Sequence, residues 1–113
     1  MKAKSVTKAG FEGLSEMIMA LKEKQGLEWF AFTDWVMERS GIKISKDVLY
    51  RTANGFHKTA PSLEPLMALA KTPEFAYLGS TAHPNLEQIC EILFGERDAY
   101  GKPIEAESQG QAE

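Results

Sequence analysis

Phe11, Leu14, Met17, Ile18 and Leu21 recur three and four residues apart, which predicts an amphipathic helix over about 11–24, closed by Gly26. The next segment is denser in apolar residues. Trp29, Phe30, Phe32, Trp35, Val36 and Met37 are too many for one narrow stripe. Either a helix begins near Leu27 and is buried over much of its surface, or Thr33 caps a shorter one with Phe32 and Met37 as a hydrophobic staple. The longer helix is expected, and Gly41 ends it in both cases.

A third helix is predicted over 46–54, with Ser45 as its cap and Gly55 as its left-handed stop. After a loop through Pro61, Ser62 caps a fourth helix whose Leu63, Leu66, Met67 and Ala70 make one face. Pro65 falls in its first turn, where a missing amide costs nothing. Thr72-Pro73 stops it, and 74–79 is a short connector. Leu86, Ile89, Cys90, Leu93 and Phe94 then follow the i, i+3, i+4, i+7, i+8 pattern of a fifth helix over about 84–94. No segment alternates with period two. The expectation is one all-α domain of five helices over 11–95, with a flexible basic arm at 1–10 and a disordered acidic tail at 96–113.

The bulk numbers narrow the class. A hydrophobic share of 43% in 113 residues suits one soluble domain with a real core. No apolar run approaches the roughly 20 residues of a membrane span. The basic start Met1-Lys2-Ala3-Lys4-Ser5 lacks the apolar stretch of a secretory signal, and the single Cys90 has no partner for an internal disulfide. A cytoplasmic protein is expected. The net charge of −3 argues against a nucleic-acid partner until its distribution is considered. Residues 39–58 carry Arg39, Lys43, Lys46, Arg51 and Lys58 against Asp47 alone, a local balance of +4. Screening beyond roughly 8–10 Å makes the local patch count for more than the sum. A solvated basic face with no partner is the plainer alternative.

The capped third helix, its Asn54-Gly55 end and the following Pro61-Ser62-Leu63-Glu64 resemble the lambda-repressor-like, Xre-type helix-turn-helix family. Gly41, Ile44, Leu49, Tyr50 and Arg51 also match its pattern, which fits best over 41–71. Three features depart from it. Ile42-Lys43-Ile44 lengthen the turn between Gly41 and Ser45, Met37 replaces a small residue, and Thr52 stands where a larger apolar side chain is usual. Each suggests a wider spacing between the second and third helices.

The resemblance implies that the third helix enters the DNA major groove with its N-terminal end foremost. At 100° per residue, Asp47, Tyr50, Arg51 and Asn54 share the outer arc, opposite Leu49, Thr52 and Ala53, with Lys46 on the flank and Ser45 at the tip. Arg51 is the first candidate for a base contact, since its planar fork matches the O6 and N7 edge of guanine; alternatively it pairs with Asp47. Asp47 either orients Arg51 or complements the helix dipole. Asn54 either meets the DNA backbone or caps its own helix, and Tyr50 either contacts a sugar or a thymine methyl or packs inward. Lys43, His57, Lys58 and Thr59 sit in loops where phosphate contacts are expected.

Leu86, Ile89, Leu93 and Phe94 are the expected face of a homodimer reading a two-fold site in double-stranded DNA. The same face is where a partner protein would bind if the chain is an antitoxin or adaptor instead. RNA is a weaker third option, because most aromatic residues lie at core spacing. Catalysis, a metal and a cofactor are not expected: His57, His83 and Cys90 lack ligand spacing, and neither a phosphate loop nor a nucleophile elbow is present. Cys90 reads as a core residue and His83 as a turn or helix-entry residue. The function expected is a DNA-binding transcriptional regulator, with repression the commonest use of such a fold.

Overall fold

A computed structural model describes residues 5–54 and 61–104. It contains α1 (Lys8–Gln25), α2 (Trp29–Ser40), α3 (Lys46–Asn54), α4 (Leu63–Ala70) and α5 (Leu86–Leu93), with no strand among the described residues. None of these helices is long and apolar enough to cross a membrane. The helix α1 runs through the middle, packed on α3 and α5, while α2 lies on α3 and α4.

The first helix starts three residues earlier than its apolar periodicity indicates. Thr7, in extended backbone, accepts from the Gly10 amide and so satisfies one of the open first-turn donors. The arm expected over 1–10 therefore contributes its last three residues to α1, and residues 1–4 lie outside those described. Phe11, Leu14, Met17, Ile18 and Leu21 are buried, as their spacing requires. In α2 the longer of the two helices forms. Thr33 is internal and buried, and its hydroxyl donates to the Trp29 carbonyl instead of capping. Phe32 and Val36 face the core, whereas Phe30 stands 72% exposed.

The stretched turn before α3 is pinned down. Ile44 is buried and Ile42 half-buried, both against the core, and the Ile42 amide donates to the Ser40 hydroxyl. The fourth helix is rotated from its expected face. Pro65, Leu66, Ala68 and Leu69 are buried, Met67 and Ala70 half-buried, and Leu63 points to solvent. Asn85 and Gln88 form a reciprocal capping box, so α5 starts at Leu86 rather than Pro84. Its buried side is Ile89, Ile92 and Leu93, with Cys90 only half-buried. The His83 ring nitrogens lie 2.6 and 2.7 Å from the Phe75 and Ala70 carbonyl oxygens, which ties the end of α4 to the segment before α5.

The larger correction is at the C-terminal end. Residues 96–104, expected to be disordered, fold back on the body. Ala99 is buried, the Leu78 amide donates to its carbonyl at 2.8 Å, and the Ile104 amide donates to the Glu96 carbonyl at 2.9 Å. Arg97 clamps this turn, with Nε on Glu91 Oε1 at 2.9 Å and Nη1 on the Gly101 carbonyl at 2.7 Å. Residues 105–113 lie outside the described part.

Tyr77 lies beneath this turn with its hydroxyl buried and without a partner among the described residues. Burial, more than the nearby Glu91, raises its phenol above the ordinary 10.0, against the lowering effect of Arg97. Tyr77→Phe removes the orphaned hydroxyl and is expected to leave stability unchanged or raise it by about 1 kcal/mol in urea titrations. The unfolded phenol ionises first, so stability falls as pH rises above about 10 towards the folded value. The Phe variant should lack that part of the alkaline loss.

Candidate nucleic-acid interface

α3 is built so that one side is locked in the core and the other faces outward. Leu49, Thr52 and Ala53 are buried, and the Thr52 hydroxyl donates to the Val48 carbonyl at 2.8 Å. That internal bond satisfies the buried hydroxyl, since a buried donor left unpaired would be costly. The Ser15 hydroxyl of α1 donates to the Ala53 carbonyl, which ties the end of α3 to the central helix. At the other end the Ser45 hydroxyl accepts from the Val48 amide at 3.2 Å, the capping bond its position implies.

The outer arc divides by what its members touch. Arg51 is exposed and has no hydrogen-bond or ion-pair partner among the described residues. The alternative pairing of Arg51 with Asp47 does not form. Asp47, in the first turn, lies 3.7 Å from Lys46 Nζ instead. Such an exposed pair contributes little by itself, and the carboxylate also sits where the helix dipole favours it. Asn54 takes its capping role, with Nδ2 donating to the Tyr50 carbonyl at 2.7 Å. The Tyr50 ring packs edge-on to Trp29, centroids 5.2 Å apart, and remains 38% exposed. Lys43 is exposed on the turn before α3. His57, Lys58 and Thr59 lie outside the described residues.

An aromatic wall stands beside this helix. Trp29 and Phe30 open α2, the Lys22 ammonium sits 5.2 Å from the Trp29 ring, and the Lys46 ammonium sits 4.8 Å from the Phe30 ring. The signal was there in the surplus of apolar residues on α2, which exceeds what one buried stripe takes up.

The expected dimer face needs correction. Ile89 and Leu93 are enclosed in the chain's own core and have no surface to offer. Only Leu86 and Phe94 of that set are half-exposed. No three His, Cys, Asp or Glu side chains among the described residues are grouped to hold a metal ion. The Cys90 thiol is raised above its ordinary 9.0, by burial first and by Glu87 second, which disfavours the thiolate. Comparison with protein-family models, with curated proteins and with solved structures finds no match to this chain.

Proposed function

We propose that the chain is a sequence-specific DNA-binding regulator of the lambda-repressor-like type, with α3 as the helix that enters the major groove. The observation that carries this reading is Arg51, exposed on the outer arc of a helix whose opposite side is sunk in the core, with no partner among the described residues. A guanidinium left unpaired on a rigid helix is ready for a bidentate contact with guanine. Around α3, Lys43, Lys46 and Arg51 outnumber Asp47, while Arg39 is paired with Glu74 at 3.4 Å; that smaller positive balance supports the phosphate attraction that non-specific affinity needs. The reading involves no cofactor and no catalysis, and repression is its simplest outcome. A homodimer on a two-fold site would use a surface other than the α5 stripe, because half of that stripe is internal. For the same reason an antitoxin or adaptor that grips a partner through α5 has less to stand on.

Selection of bound sequences from a random duplex pool tests the reading. An enriched motif is expected, repeated as half-sites if the chain pairs. Arg51→Ala should then cost about 1–3 kcal/mol on the selected site and relax its preference. Lys58→Ala should weaken every duplex alike and reduce the salt slope by about 1. Absence of enrichment, or affinity for every duplex unchanged in both variants, would remove the groove-reading model.

A further inference from the structure

The first turn of α2 carries the most exposed aromatic side chain among the described residues. Phe30 is 72% exposed, and Lys46, in the first turn of α3, holds its ammonium 4.8 Å from the ring centroid. Next to them Tyr50 meets Trp29 edge-on, and Lys22 lies over the Trp29 ring. On the helical wheel Lys46 and Tyr50 lie 40° apart at one edge of the outer arc of α3, and Arg51 lies at the other edge. Lys46 thus joins the Phe30 ring to the flank of the outer arc of α3.

The pair combines a largely exposed apolar ring with a cation that also lies 3.7 Å from Asp47 Oδ1, with Lys43 and Arg51 as the other cations of this stretch. A phosphate alone would call for the lysine and not the ring. An apolar protein surface would call for the ring and would have to strip water from the lysine without replacing it. A thymidine nucleotide offers both matching groups, since its 5-methyl lines the major groove and its phosphate borders that groove. Burying the ring against a methyl also recovers apolar area that the free protein leaves in water.

We propose that Phe30, held beside Lys46, is a specificity-determining contact for thymine at the flank of the bound site, its ring against the 5-methyl group, while Lys46 neutralises the adjoining phosphate. This inference rests on the DNA reading proposed above. It assigns a base preference to a residue of α2, outside the reading helix.

The test uses the full chain and a duplex selected by it. Thymines are replaced one at a time by uracil, which removes only the methyl group. At one flanking position uracil is expected to weaken wild-type binding about fourfold, the equivalent of one buried methyl. Phe30→Ala should weaken binding to the thymine duplex by a similar factor or more, and should show no additional loss with uracil. Because Phe30 is so exposed, its alanine variant should melt with the wild type, which separates contact loss from unfolding. The proposal is overturned if uracil is tolerated at every position, or if Phe30→Ala retains the full methyl penalty. Arg51→Ala is run in parallel. Relaxed preference in Arg51→Ala with a silent Phe30→Ala removes this inference alone, whereas failure to select any duplex removes the DNA reading with it.

Discussion

Gly10→Ala should destabilise the protein by about 3 kcal/mol, and Gly13→Ala, three residues along the same helix, should stabilise it by about 0.5–1 kcal/mol. By propensity alone both changes favour α1, because glycine loses more backbone freedom than alanine on folding. The surroundings reverse the first sign. A Cβ at Gly10 would strike the Leu93 and Ile92 carbonyl oxygens and lie 2.7 Å from the Leu93 carbonyl carbon, all rigid backbone at the end of α5. At Gly13 it would meet Ile92 Cγ2 at 3.5 Å and the Ala99 Cβ at 3.6 Å, ordinary contact distances. The close approach at Gly10 has a purpose. Leu93 O accepts the Thr7 amide at 2.9 Å and the Thr7 hydroxyl at 3.3 Å, so the start of α1 is tied to the end of α5. Urea unfolding of the two variants followed by circular dichroism checks the pair. A stabilising shift for Gly10→Ala would overturn the close α1–α5 backbone approach, and a destabilising one for Gly13→Ala the open space beside it.

Phe32→Ala should cost about 3–5 kcal/mol, the range for deleting a fully buried aromatic ring. A domain of this size has only about 5–15 kcal/mol in total, so the variant should sit close to unfolding. Phe32 is fully buried, stacked on Trp35 at 6.0 Å and met edge-on by Trp29 at 5.9 Å. Its loss would leave a cavity under the start of α2 and free Trp29, against which Tyr50 of α3 packs. Phe32→Leu, which refills much of the volume, should retain most of the stability. Tryptophan fluorescence through a denaturant titration reads both. A loss below about 1 kcal/mol in the alanine variant would show that α2 is not mounted through this ring.

The helices were legible where local signals stood alone. Apolar residues at three- and four-residue spacing located α1 and α5, and Gly26 and Gly41 marked helix ends by the left-handed conformation that both adopt. Local signals misled where several competed. In α4, an eight-residue helix rich in Leu, Ala and Met, apolarity alone does not define a face, so Leu63 was placed inward although it lies 58% exposed. The caps Thr7 and Asn85 were hidden beside a basic stretch and a proline. The docking of 96–104 had almost no signature, because it depends on backbone bonds such as Leu78 to Ala99, on polar clamps by Arg97 and Asp98 and on one small buried side chain, none of which makes an apolar pattern. In the candidate site, the outward Arg51 and the inward Leu49, Thr52 and Ala53 follow directly from a 100° step along one short helix.

The sequence by itself determined the five helices and the division of α3 into an anchored side and a presented side. Periodicity and end signals act between residues a few positions apart, and that information is complete within each segment. Tertiary structure alone decided which aromatic of α2 is left in water, that Lys46 lies over Phe30, and that Ile89 and Leu93 serve the core instead of a second chain. Each of these outcomes depends on which surfaces of distant helices meet. The supply of apolar groups exceeds what the core can enclose, and only the packing of α1 through α5 selects the ones that stay outside.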